Sequence, residues 1–212
     1  MAYDMKSLPK NKIEIQVIQI VKKFGLVGGM EEYAYRLSEC LGAMGSQVMV
    51  LCEQSFGKAP DCVQVVELGS HRKPHWISHF RFSAKVDRWL RKNPKETRIV
   101  HSHERQSSHQ VSTFHTTPFN FDRKRSLLHR VSPRHLLFER LEKREVAGNQ
   151  VKAVVPVSSN LGNMLKIKHP YARERITPPI HPGVALNGLS QATRKSVPAD
   201  GGVIGFMGKE WQ

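Results

Sequence analysis

Ile13-Glu-Ile-Gln-Val-Ile-Gln-Ile-Val21, the loop Lys22 to Gly29, a segment carrying Met30, Ala34, Leu37, Leu41 and Met44, and then Gln47-Val-Met-Val-Leu-Cys-Glu53: this run decides the fold. The first piece alternates apolar residues and then turns continuously apolar and β-branched, as a strand buried in a parallel sheet does. The five apolar residues that follow recur at steps of three and four, which puts them on one helical stripe. Gly45 sits where a C′ glycine ends a helix. Strand, loop, helix and strand within about 40 residues make a βαβ unit.

Outward from this unit the alternation continues. Cys62 to Leu68 reads as a strand, and Trp76 to Lys92 as a helix with Ile77, Phe80, Ala84 and Leu90 facing inward. Arg98 to His101 and Val111 to His115 read as strands. Ser132-Pro133 is an N-cap and N1 pair for a helix reaching about Ala147. Ala153 to Ser158 is a strand despite Pro156, and Asn160 to Lys168 a helix. The expected fold class is α/β, a Rossmann-like doubly wound parallel sheet. The expected division is a polar extension over 1–12, one domain over 13–186, a Ser/Gly/Pro/Ala/Lys-rich linker over 187–202, and from 203 to 212 the opening strand of a second, truncated domain.

Composition narrows the function classes. The 212 residues are 39% hydrophobic and 24% charged, which suits a soluble globular protein. No apolar run approaches the ~20 residues of a membrane span, and the polar start lacks the form of a signal peptide, so a cytoplasmic location is expected. Cys40, Cys52 and Cys62 form no C-x-x-C pair and are expected to be buried small hydrophobes. Thirty-three Lys+Arg against eighteen Asp+Glu leave a net charge of +15. That balance suits an anionic partner such as a sugar nucleotide, an acidic membrane surface or a nucleic acid; a basic surface that only aids solubility explains it as well.

Gly28-Gly29 stands at the mouth of the first helix, where a bare backbone and free N–H groups suit an anion. The pattern is neither G-x-G-x-x-G nor a P-loop. In the longer string Gly28-Gly-Met-Glu-Glu-Tyr-Ala-Tyr-Arg-Leu37, followed by Gly45-Ser-Gln-Val-Met-Val50, the chain resembles the first βαβ of glycosyltransferase family 4, with Ser46 where that pattern has His. Ile99-Val-His-Ser-His103, Thr113-Phe-His115, Val154-Val-Pro-Val-Ser158, Ile180-His-Pro-Gly-Val184 and Val203-Ile-Gly-Phe-Met-Gly-Lys209 are similar, in order and spacing, to later family segments. Lysine stands at 209 in place of arginine, and the asparagine of the family's Pro-Asn-Gly-Val is missing.

The resemblance implies the N-terminal half of a GT-B enzyme. That enzyme transfers a sugar with retention, without a metal or other cofactor, from a nucleotide-sugar donor to a polysaccharide, lipopolysaccharide or glycolipid acceptor. It implies further that Gly28, Gly29 and Lys209 bind the donor diphosphate, that His115 is catalytic at the transferred sugar, and that His103 and Glu104 bind the acceptor. The truncated chain alone is expected to be inactive. His71, His75 and His79, or His101 and His103, bring no carboxylate or cysteine at metal-ligand spacing, so no metal site is expected. Lys85, Arg88, Arg91 and Lys92 beside Trp76, Phe80, Phe82 and Trp89, and Arg123-Lys-Arg125, Arg130 and Arg134 after Phe119 and Phe121, read first as helices with aromatic cores. Peripheral contact with an anionic membrane is the second reading. The competing class is a non-enzymatic basic α/β module holding an anionic polymer or nucleic acid, for which no nucleic-acid motif is present. A phosphate-binding epimerase of GT-B architecture is the third.

Overall fold

The computed structural model describes residues 15–70, 75–121 and 132–183, with the side chains of His75 and Trp76 left out. The expected linker, the second-domain strand and Lys209 lie outside the described residues, as do Ile13 and the basic cluster Arg123 to Arg130.

Six parallel strands form one sheet: β1 (Gln16–Ile20), β2 (Gln47–Cys52), β3 (Val63–Glu67), β4 (Arg98–Ser102), β5 (Val111–Phe114) and β6 (Ala153–Pro156). Their spatial order is β3-β2-β1-β4-β5-β6. The chain therefore builds outward in one direction and then restarts beside β1 in the other, the order of a dinucleotide-type doubly wound sheet. The helices are α1 (Gly29–Ala43), α2 (His75–Lys92), α3 (Pro133–Ala147) and α4 (Ser159–Lys168), followed by a 3-10 turn over Pro170–Arg175.

Successive side chains of a strand point to opposite faces, and both faces are filled. Val48, Val50 and Cys52 of β2 and Val63 of β3 pack with Ala34, Met30 and Leu41 of α1. Their neighbours Met49 and Leu51, with Ile18, Ile20 and Val100, pack against Phe82, Val86 and Leu90 of α2. A third cluster joins Phe114 and Val154 to Val146 of α3 and to Leu161 and Leu165 of α4. Each fully buried aliphatic or aromatic side chain contributes about 1.5–3 kcal/mol. The interior side of α3 starts cleanly: the Ser132 hydroxyl accepts from the His135 N–H, with Pro133 at N1.

Three expectations need correction. The inward stripe of α2 is Ser78, Phe82, Val86 and Leu90, whereas Ile77 and Phe80 are only half-buried and Ala84 is exposed. Steps of four set that stripe, and its first member is a serine that hydrogen-bonds Lys22 Nζ at 2.7 Å, so hydrophobicity alone misplaces the face. Cys52 is buried, but Cys40 and Cys62 are exposed; they lie at a helix end and at the start of β3, where the layers stop. Met44, at the C-cap of α1, is 57% exposed and does not extend the helix stripe.

At Gly25 the backbone demands glycine. After β1, Lys23–Phe24 pairs in parallel with Gln54–Ser55 beyond β2, and Phe56 N–H donates to Phe24 O at 2.7 Å. Gly25 follows with φ +142°, and a Cβ there would collide with the Phe56 carbonyl. Gly57 also has positive φ, +74°, but nothing lies within 4 Å of an added Cβ. Gly25→Ala is expected to cost on the order of 3 kcal/mol and Gly57→Ala about 1 kcal/mol, read from denaturant midpoints. Equal costs would show that the close approach of Phe56 is not rigid.

Candidate active site

In a sheet of this order, the loops leaving β1 and β4 diverge to opposite faces and open a crevice at the strand carboxyl ends. Lys22 leaves β1 there, His103 and Glu104 leave β4, and His115 leaves β5. The ladder holds them in register: Ile20 pairs with Ser102, and His103 N–H donates to Ile20 O at 2.9 Å. A cavity of about 230 Å³ opens at this point, lined by Met30, His79, His103, Glu104, Arg105, Phe114, His115, Thr116 and Glu145.

The first turn of α1 stands beside it. Gly28 is the N-cap, with extended backbone (φ −174°) that any residue adopts, and Gly29 opens the helix. A Cβ on Gly29 would meet nothing within 4 Å, and one on Gly28 would meet only the Glu31 carboxylate. The fold does not require glycine at either position. Both are accessible, and one turn further Tyr33 sets its ring edge-on against His115 and His103, with centroids 5.1 and 5.6 Å apart. The helix mouth and the strand tips thus belong to one place. Orphan N–H groups at such a mouth favour an anion.

The histidines are tightly held. His103 is 4% exposed; its Nε2 lies 2.8 Å from Gln19 Oε1 and its Nδ1 3.2 Å from His115 Nε2. His101 meets Thr113 Oγ1 at 2.7 Å, and its ring packs on His103. Burial disfavours the imidazolium throughout this cluster: His79, His101 and His115 are pushed down to about 4, and His103 lies well below the usual range. His103, His115 and His79 all line the cavity, and of the touching pair His103–His115 it is His115 that is only half-buried.

The carboxylates shift the other way. Burial lifts Glu104 to about 7, against the opposing pull of Lys22, whose backbone N–H donates to Glu104 Oε1 at 3.3 Å. Burial likewise lifts Glu145 to about 8, although Arg105 and a 3.0 Å hydrogen bond from Ser112 Oγ oppose it. Glu142 is different. Burial raises it, but His169, Lys168 and the Phe119 N–H together overcome that and hold it low. It receives Lys168 Nζ at 2.6 Å and the Phe119 N–H at 2.5 Å, and so ties α3 to the end of α4 and to the loop after β5.

Of the residues singled out in the sequence, Gly28, Gly29, His103, Glu104 and His115 are gathered here. His79 also reaches the cavity, paired with Glu104 at 3.7 Å. Among the described residues no three His, Cys, Asp or Glu side chains are arranged to hold a metal ion. On α2, Lys85 Nζ caps the carbonyls of Leu68 and Gly69, and Phe82 and Trp89 serve the core. Sequence reading missed Gln19, Lys22, Tyr33, Arg105 and Glu145. The only local hint of Glu142 and Glu145 is that both fall on the Phe138–Leu141–Val146 side of α3, where a carboxylate is out of place unless it has a partner, and nothing nearby in the sequence names that partner.

Comparison with known proteins gives the same frame. A family model described as Glycosyltransferase Family 4 matches residues 27–187. The fold is similar to the crystal structure of WaaG, a glycosyltransferase involved in lipopolysaccharide biosynthesis, with TM-score 0.67 and 15% identity. The match covers 76% of this chain and 44% of that one, so the chain spans less than half of WaaG's length. No curated protein matches the sequence. No described helix is long and apolar enough to cross a membrane. With the family model matching residues 27–187, more than half of the 212, the chain belongs to glycosyltransferase family 4.

Proposed function

We propose that this chain is the acceptor-side half of a retaining glycosyltransferase. It moves a sugar from a nucleotide-sugar donor to a saccharide or lipid-linked acceptor, in lipopolysaccharide, polysaccharide or glycolipid assembly. The observation that carries this reading is an α1 mouth with two accessible glycines, placed one helical turn from the His115–His103 pair and its cavity. The lipopolysaccharide part of the reading draws on the printed role of WaaG.

The chemistry follows from charge. As the bond between sugar and diphosphate breaks, negative charge grows on the leaving phosphate. The N–H groups of Gly28 and Gly29, fixed at the start of α1, would meet that charge with little reorganisation. Lys209, which the resemblance assigns to the same diphosphate, would bring a point charge rather than the planar fork of an arginine. Neutral His115 contacts a hydroxyl of the transferred sugar or acceptor. Glu104, Glu145 and Arg105 line the acceptor side of the cavity. Near neutral pH the raised carboxyls retain protons, so they donate as well as accept, which suits a polyhydroxyl ligand. No step calls for a metal. Basic exposed positions on α2, Arg88 and Arg91 among them, would face an anionic membrane that carries the acceptor on its cytoplasmic side.

Two variants of the natural enzyme carrying this sequence test the site. Gly29→Val should leave the thermal midpoint nearly unchanged, since an added Cβ meets nothing within 4 Å, and reduce transfer about 100-fold or more. His115→Ala should reduce transfer by about 10²–10³-fold. Wild-type turnover in either variant would remove that residue from the mechanism.

The carboxyls also fix a stability profile. Glu145 has a folded value near 8 against an ordinary 4.5, so the folded chain holds the proton more tightly, and stability is lost as pH rises through that interval. The buried histidines act oppositely, but only between about 4 and 6.5. Between pH 6.5 and 8 the carboxyls therefore dominate, and stability should fall by about 1–2 kcal/mol. Glu145→Gln should largely flatten that fall in urea titrations. An unchanged slope would mean that Glu145 is ionised and paired with Arg105.

A further inference from the structure

Gln19 is an anomaly. It is fully buried in the central strand, on the face where its neighbours Val17 and Val21 are apolar and where the fold alone would take another valine. Across the ladder it pairs with His101, and two residues on, the same face presents His103. Its Oε1 lies 2.8 Å from His103 Nε2, while its Nε2 has no partner. A buried amide with one orphaned end is retained for what the other end does.

We infer that Gln19 selects the tautomer of His115, with His103 as the relay between them. Donor and acceptor capacities fix where the protons sit. An amide oxygen only accepts, so His103 must carry its proton on Nε2 and present a bare Nδ1. That bare nitrogen lies 3.2 Å from His115 Nε2 and must receive a proton from it. His115 then keeps its Nδ1 free as an acceptor. A hydroxyl of a sugar, which has a proton to donate, is the ligand chemistry this fits. Tyr33, edge-on to both rings, and His101, tilted against His103 with ring centroids 4.6 Å apart, hold the ring planes in place. Gln19 touches no reacting atom; it is a positioning residue. The catalytic use of the relay rests on the transferase reading above, whereas the tautomer is a property of the chain itself, so the two fail separately.

The test is long-range proton–nitrogen correlation on the full chain labelled with ¹⁵N-histidine, with His103 and His115 assigned by single His→Gln variants. Wild type should show His103 and His115 each as a single Nε2–H tautomer. Gln19→Met, similar in size but without the acceptor, should shift the ring-nitrogen resonances of both towards a mixture of tautomers, with the backbone amide spectrum retained. An Nδ1–H proton on His115 in wild type overturns the inference by itself, whether or not the variant folds. So does an unchanged single tautomer in a folded Gln19→Met chain.

Discussion

The pairing of β1 with β4 governs everything else. These strands are far apart in sequence, yet Gln16 to Ile20 lie in parallel register with Arg98 to Ser102. β1 is buried from both sides, by α1 on one face and α2 on the other, and its apolar pattern tolerates no slip, because a shift of one residue would exchange the faces. Once that register is set, Lys22, His103 and Glu104 must emerge together, and the loops behind them must separate. The crevice is a geometric result of the strand order rather than a feature added to it.

What fills the crevice runs against the protein's average charge. The chain carries +15 overall, while the described part of the strand-tip region holds Glu53, Glu104, Glu142 and Glu145. Burial of so many carboxyls is costly. Lys22 and Arg105 offset part of that cost, the first pairing with Glu53 at 3.6 Å and the second lying within 4 Å of both Glu142 and Glu145. The rest is met by retained protons and by hydrogen bonds to Ser112, His169 and the backbone. The outcome is a pocket near neutrality beside a helix mouth that favours an anion, a division that suits a polyol on one side and a phosphate on the other.

Much of the architecture was readable before any coordinates, for a physical reason. Strand periodicity in Gln47 to Cys52 and the Ser132-Pro133 start of α3 are local signals, and local signals survive in a single sequence. So does the Gly28-Gly29 pair. α2 was read with the wrong face because its buried stripe begins at Ser78, which is held by polar contacts that no hydropathy pattern carries. Glu145 and Gln19 become functional candidates only through partners 33 and 84 positions away along the chain. Gly25 was passed over in favour of its neighbours at 28 and 29, since its requirement comes from the carbonyl of Phe56, delivered by a second loop.

The central claim is that the mouth of α1 and the tips of β4 and β5 form one ligand site. Hydrogen–deuterium exchange on the natural enzyme carrying this sequence, with and without a panel of uridine-, guanosine- and adenosine-diphosphate hexoses, measures it directly. The account predicts ligand-dependent protection in two separate peptides, Gly28 to Tyr33 and His103 to Thr116. Protection confined to the exposed faces of α2 and α3, with both of those peptides unchanged under saturating ligand, would contradict it.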